Sequence, residues 1–90
     1  MSVIIPTSLP TDATLAVKDG GSDGFRVWLE SKTKGRWSFT KGEWIPPKDM
    51  HKESTAAYVD TFRGARNIHS VICKACGVDK KTLPLTGDLA

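Results

Sequence analysis

The alternation of apolar and polar residues from Phe25 to Ser31 constrains the fold of this chain more than any other feature. Phe25, Val27 and Leu29 recur at every second position, and the side chains of a β-strand point to opposite faces in turn. The segment is therefore predicted to be a half-buried strand with these three residues on its core face. Trp28 then lies on the outward face, where a large aromatic side chain requires an explanation.

A second alternating run begins at Arg36 and predicts the partner strand of a β-hairpin over residues 25–40. Thr33-Lys34-Gly35 lies between the two runs and has the length of a three-residue hairpin loop. Gly35 suits the left-handed position at the end of such a loop.

The loop length also predicts the register of the hairpin. A loop of three residues over 33–35 pairs Leu29 with Phe39 and Ser31 with Trp37. The large apolar side chains of both strands then share one face, which a loop of two or four residues would prevent.

Shorter segments complete a predicted sheet of three or four strands. Thr14 to Lys18 alternates, and Val3 to Ile5 is a candidate for a short edge strand. Trp44 and Ile45 follow a second tight turn and form a short third strand. Pro46-Pro47 ends that strand because proline has no N–H group to donate to the ladder.

The hydrophobic period becomes helical between about residues 54 and 76. Apolar residues recur there at alternating steps of four and three, which places them on one face of a helix. The residues of this face are Tyr58, Phe62, Ala65, His69, Ile72 and Cys76, of which His69 is polar. Ser54 or Thr55 is the predicted N-cap, and Gly77 is the predicted residue at the end of the helix.

These elements predict an α+β fold, in which a small antiparallel sheet packs on one long C-terminal helix. Residues 14–77 form this single domain. An extended N-terminal segment over 1–13 precedes it, and a flexible C-terminal tail over 78–90 follows, because no period survives there. So short a chain leaves the second face of its sheet uncovered, which favours a partner on that face.

Composition excludes several classes of protein. No run approaches the 18 apolar residues of a membrane-spanning helix, and Met1 to Pro6 lacks the basic and apolar regions of a secretory signal. Two cysteines, Cys73 and Cys76, are too few for the disulfide framework of a small secreted domain. We therefore expect an intracellular, cytoplasmic protein with no membrane span.

Basic charge is concentrated in the region of the hairpin. Seven Lys or Arg residues and three Asp or Glu residues lie between Arg26 and Lys52, so this segment has a net charge of +4. The whole chain has a net charge of +3, and the remainder is therefore close to neutral. A basic hairpin is the electrostatic feature that the sequence predicts.

Cys73, Cys76 and His69 are the candidates for chemistry. A reactive thiolate is usually stabilised by a helix N-terminus, whereas these cysteines lie near the predicted C-terminus. Zinc usually takes four ligands, and the chain has one further histidine, His51, and no second cysteine pair. We expect Cys76 to be a small core residue and Cys73 a partly covered neighbour, with no metal and no cofactor.

The chain is predicted not to be an enzyme, because its acidic residues are scattered and it has no phosphate-binding or catalytic motif. The predicted site is instead a binding surface on the outward face of the hairpin, with no small-molecule substrate. Its candidate residues are Trp28, Arg26, Lys34, Arg36, Trp44 and Lys41.

The leading interpretation of this surface is a protein–protein interaction module, or a small subunit of an assembly, including a homodimer. Trp28 is its anchor, and the basic residues steer the partner. The alternative is binding of single-stranded DNA or RNA, with bases stacked on the indole and phosphates neutralised by Lys and Arg. In a third, purely structural interpretation, residues 1–13 cover Trp28 and the lysines protect the sheet edge.

Overall fold

The computed structural model describes residues 3–52 and 55–87. Over these ranges six strands and one α-helix follow one another, with short 3₁₀ turns at Gly21–Asp23, Pro47–Lys52 and Lys80–Thr82. The elements are β1 (Thr14–Asp19), β2 (Phe25–Ser31), β3 (Gly35–Ser38), β4 (Glu43–Ile45), β5 (Ala57–Val59), α1 (Phe62–Cys76) and β6 (Leu85–Gly87). The predicted α+β fold is confirmed, with more strands than expected.

Strand β2 lies at the centre of a mixed six-stranded sheet with the order β4-β3-β2-β1-β6. β1 pairs with one edge of β2, whereas β3 and β5 share the other edge and pair with its two ends. These pairings are antiparallel, but β6 pairs parallel to β1. The prediction of an antiparallel sheet is therefore wrong for β6, which follows α1 and runs in the same direction as β1.

The hairpin register differs from the predicted one by two residues. Glu30 pairs with Arg36 and Ser31 with Gly35, so the three-residue loop spans residues 32–34 rather than 33–35. A shift of two residues preserves the face of every side chain, because the strand period is two. Trp37 and Phe39 are accordingly buried on the core face, as predicted.

Gly35 begins β3 because the β3–β4 pair comes too close for a side chain. Its φ is +96°, and a Cβ there would lie 1.8 Å from the carbonyl oxygen of Ile45. Since β4 occupies this space, Gly35 is a requirement of the sheet rather than of the loop.

We predict that Gly35→Ala lowers the free energy of unfolding by more than about 3 kcal/mol, since it combines left-handed strain with a backbone clash. Gly21→Ala is the matched control, because φ is +67° there and no atom lies within 4 Å of an added Cβ. Strain alone should cost Gly21→Ala about 1 to 2 kcal/mol. Urea unfolding followed by circular dichroism measures both, and equal losses would contradict the clash.

Asp12 holds the loop of the hairpin from the N-terminal segment. Its carboxylate accepts a 2.6 Å hydrogen bond from the Ser31 hydroxyl and a 3.2 Å bond from the backbone N–H of Thr33. The Ser31 hydroxyl oxygen in turn accepts from the N–H of Lys34 at 3.1 Å. The bond from Ser31, followed by those from Thr33, holds the pKa of Asp12 below its ordinary value of 3.8.

The hydrogen bonds that Asp12 accepts predict a pH-dependent contribution to stability. Because the pKa of Asp12 is lower in the folded than in the unfolded chain, its contribution is present above the ordinary value of 3.8 and is lost as the pH falls through the lowered pKa. Asp12→Asn should therefore reduce Tm at pH 6, and this difference should shrink as the pH approaches 2. Glu43→Gln, at an exposed position of β4, is the control and should change Tm little at either pH. If the Tm difference for Asp12→Asn were the same at pH 6 and near pH 2, the carboxylate of Asp12 would not stabilise the loop.

The helix begins at Phe62, eight residues later than predicted. Residues Ala57–Val59 instead pair with the edge of β2 that β3 leaves open, so Tyr58 belongs to a strand. Thr61 is the N-cap, and its hydroxyl accepts a 3.0 Å hydrogen bond from the N–H of Gly64. The predicted cap Thr55 is buried before β5, and Ser54 lies outside the described residues.

The C-terminal end of the helix is confirmed at Gly77, which has the left-handed conformation. The chain beyond it is not a flexible tail over its described part. Leu83 is fully buried, and Leu85–Gly87 forms β6 against β1. Leu83 is part of the core although its sequence neighbours show no hydrophobic period. Residues 88–90 of the predicted tail lie outside the described part.

The core lies between the sheet and α1. Its fully buried side chains come from β1, β2, the helix and the two connecting segments, and the largest are Phe39, Leu15, Leu29, Ile72, Leu83, Val17 and Val27. The N-terminal segment has no strand over residues 3–13, which corrects the prediction for Val3–Ile5. It nevertheless contacts the core, because Ile4 donates its N–H to the carbonyl of Phe39 at 2.8 Å.

Candidate functional site

The face of the sheet opposite α1 presents the outward residues of β2 and its neighbours. Residues directly opposite each other on paired strands share a face, and the pairs here are Lys18 with Arg26, Ala16 with Trp28, Glu30 with Arg36, and Arg26 with Tyr58. We call this set the outward face. Its composition is aromatic and mainly basic.

Trp28 lies half-buried at the centre of the outward face. The guanidinium carbon of Arg36 lies 5.7 Å from the centroid of the indole, within the range of a cation–π contact. Arg36 also donates from Nε to Oε1 of Glu30 at 2.9 Å, with both side chains about one-third exposed. An ion pair this exposed stabilises the fold little, but two contacts together orient the guanidinium over the ring.

A second ring and guanidinium pair lies beside the first. Tyr58 is 47% exposed, and the guanidinium carbon of Arg26 lies 5.7 Å from its ring centroid. The sequence prediction missed Tyr58, since its spacing also fits the helical stripe. The signal that could have found it is the short run Ala57–Val59, whose residue types suit a strand.

An open hollow of about 350 Å³ adjoins Trp28 on this face. Its walls include Ala16, Lys18, Glu30 and Arg36. The small side chain of Ala16 stands directly opposite Trp28 in the sheet and leaves one flank of the indole accessible. The hollow can therefore accept an apolar side chain beside the indole, with charged groups around it.

The structure separates the other predicted site residues from Trp28. Lys34 lies in the β2–β3 turn and Lys41 in the β3–β4 turn, at opposite ends of β3. Trp44, predicted on the outward face, pairs instead with Trp37 on the core side, where their ring centroids lie 5.6 Å apart at 71°. The prediction for Trp44 is wrong because a third strand must match the face of its cross-strand neighbour.

The N-terminal segment contacts Trp37 of this pair rather than Trp28. The indole N–H of Trp37 donates to the carbonyl of Ile4 at 2.8 Å. Val3, Ile5 and Leu9 are partly buried against the core, on the side of the sheet away from the outward face. The structural interpretation, in which residues 1–13 cover Trp28, is therefore wrong for residues 3–13.

The cysteines and His69 are occupied by internal contacts. Nε2 of His69 lies 2.8 Å from the carbonyl oxygen of Leu83, an acceptor, so this nitrogen carries the proton. Cys76 donates from Sγ to the carbonyl of Pro6 at 3.3 Å. Cys73 is the more deeply buried thiol and Cys76 the partly covered one, which reverses the expected roles because the buried stripe of α1 runs through Ile72 and Cys73.

Burial raises the pKa of both thiols, since the thiolate is poorly solvated there. Within residues 3–52 and 55–87, no group of three His, Cys, Asp or Glu residues is placed to hold a metal ion. No helix of the described chain is long and apolar enough to cross a bilayer.

Comparisons with protein families, curated proteins and solved structures find no match to this chain. Its function is therefore inferred from its own residues.

The raised thiol pKa values predict slow alkylation. At pH 7 iodoacetamide should modify both cysteines more slowly in the folded chain than in 6 M urea, because fewer thiolates form. Trypsin cleaves after Lys74 and places the two cysteines in different peptides, so mass spectrometry measures each rate. Faster modification of either cysteine in the folded chain would contradict the buried, neutral thiols.

Proposed function

We propose that this chain is a non-enzymatic interaction module that binds a protein partner through the outward face. The observation that carries the proposal is Trp28, half-buried among charged side chains, with Arg36 over its ring and an open hollow at its side. A large amphipathic side chain in that setting is typical of a binding anchor.

The residue types support a protein partner. Tryptophan, tyrosine and arginine are the residues that most often dominate the binding energy of protein interfaces, and Trp28, Tyr58, Arg26 and Arg36 bring them together. Each ring has a guanidinium over it, and both lie on paired strands. Ordering such a surface on binding costs little conformational entropy, because it is already held in place.

The charges support an acidic partner with one apolar side chain. Lys18, Arg26 and Arg36 outnumber Glu30 on the outward face, and Glu30 is already paired with Arg36. We infer that an apolar side chain of the partner enters the hollow beside Trp28 while its carboxylates approach Arg26 and Lys18. A symmetric dimer through this face is disfavoured, since it would set like charges of two copies against each other.

Single-stranded nucleic acid suits the outward face less well. The carboxylate of Glu30 lies among the basic residues and repels phosphates. Arg36 is already engaged by that carboxylate and by Trp28, so it gains less from a phosphate contact.

The ion pair of Glu30 and Arg36 also supports a non-enzymatic role, since Glu30 is the one carboxylate that lines the described hollow. Two free thiols support our inference of an intracellular, cytoplasmic location.

Peptide selection tests this proposal. Random 16-residue peptides displayed on phage are selected on the folded chain, and enriched peptides are synthesised and their Kd measured by calorimetry. We expect enriched sequences to combine Asp or Glu with a large apolar residue. Trp28→Ala should weaken their binding at least 30-fold, the effect of losing a hot spot of about 2 kcal/mol.

A variant on α1 is the matched control. Phe62 is 46% exposed and has Arg66 over its ring at 5.1 Å, so Phe62→Ala reproduces the change Trp28→Ala away from the outward face. This control should leave Kd within about threefold. Unchanged peptide binding by Trp28→Ala would overturn the proposal, and displacement of the peptides by (dT)20 would favour the nucleic-acid alternative on this face.

A further inference from the structure

A basic furrow runs along the second half of α1, on the side of the sheet away from the outward face. One wall is formed by the helix and the other by the 3₁₀ turn at Lys80–Thr82. Two adjoining hollows of about 320 and 630 Å³ make up the furrow and share Ser70, Lys80 and Lys81. Its cations, which define the basic furrow, are Arg66, Lys74, Lys80 and Lys81.

The helix wall has regular spacing. Arg66, Ser70 and Lys74 follow one another at steps of four, so they lie along one face of α1 and span about 12 Å along its axis. Lys80 and Lys81 face them across the furrow. Cationic side chains thus line both sides of an elongated, open depression, which suits a linear ligand with repeated negative charge.

The cations of the furrow are not neutralised within the described chain. Over residues 3–52 and 55–87 none of the four takes part in a salt bridge. Asp79 is the acidic residue of the described lining, so the local charge of the lining is about +3. This concentration was not visible in the sequence, where the basic residues outside 26–52 appear balanced by acids.

The floor of the furrow is rigid. His69 donates to the carbonyl of Leu83 at 2.8 Å, and Leu83 is fully buried. This bond joins α1 to the segment that follows the 3₁₀ turn and therefore fixes the distance between the two walls. The cations are presented by ordered elements, so little order must be created on binding.

We propose that the basic furrow binds the phosphate backbone of a nucleic-acid strand. Charge complementarity along two walls matches the regular phosphates of such a strand. Within the described lining no Phe, Tyr or Trp ring offers a surface for base stacking, and the imidazole of His69 is buried, so the binding is independent of sequence. A membrane surface fits less well, because the apolar groups of the described lining, Cys73, Val78 and Leu85, are buried or partly buried and do not form a projecting apolar rim.

Fluorescence anisotropy of 5′-fluorescein-labelled (dT)20 tests the proposal at 50 mM NaCl. Replacing Lys74, Lys80 and Lys81 by Gln should weaken binding at least tenfold. The control replaces Lys32, Lys34 and Lys48, all exposed elsewhere, by Gln; it removes the same charge and should change Kd by less than about threefold. Equal losses in both variants would overturn the proposal, since they would mean attraction to net charge alone.

Salt dependence gives a second measure of the same contacts. Four phosphate contacts predict a slope of about −2.8 for log K against log salt, or a roughly 50-fold loss of affinity between 50 and 200 mM NaCl. The furrow variant should have a much smaller slope. Trp28→Ala should bind (dT)20 like the unchanged chain, which separates this proposal from the function proposed for the outward face.

A measurement on the unchanged chain avoids dependence on folded variants. Lysines are acetylated with sulfo-NHS-acetate with and without saturating (dT)20, and the modified positions are located by tandem mass spectrometry. Lys74, Lys80 and Lys81 should be protected at least threefold, whereas Lys32 and Lys34 should not. Protection of the hairpin lysines instead, no binding of (dT)20 at 50 mM NaCl, or tighter association with phosphatidylserine vesicles than with (dT)20 would each overturn the proposal.

Discussion

The pairing of β2 along both of its edges is the constraint on which the rest of the structure depends. β1 covers one edge, and β3 and β5 together cover the other. Because the strand is held on both sides, its pleat sends Val27 and Leu29 into the core and Trp28 to the opposite face. A slip of one residue would bury the indole and expose both aliphatic side chains, so the position of the proposed anchor follows from the packing of the core.

The sheet separates two surfaces of different chemistry. The outward face combines aromatic rings with guanidinium groups that are already held by contacts within the chain. The basic furrow on the helix side has cations without salt bridges and no Phe, Tyr or Trp ring within its described lining. A rigid aromatic surface suits a protein side chain, whereas a line of cations without salt bridges suits a phosphate backbone. The two proposed binding surfaces thus lie on opposite sides of one small sheet and differ in chemistry.

The sequence predicted the secondary structure correctly wherever the hydrophobic residues of a segment followed a single period. The alternation in β2 and the helical period from Phe62 onward were sufficient for the α+β class, and the two-residue error in the hairpin register left every face correct. Tyr58 was misassigned because its position fits a helix stripe and a strand equally well. Its place was decided by the open edge of β2, a hydrogen-bonding requirement that lies about 30 residues earlier in the chain.

The sequence by itself determined the apolar face of β2, the outward position of Trp28 and the end of the helix at Gly77, since each follows from neighbouring residues and backbone preference. Tertiary structure alone decided which groups surround them. It placed Arg36 over Trp28, turned Trp44 toward Trp37, and brought Lys80 and Lys81 opposite Lys74. These juxtapositions depend on strand pairing and on the burial of Leu83, which are interactions between distant segments that no local period encodes.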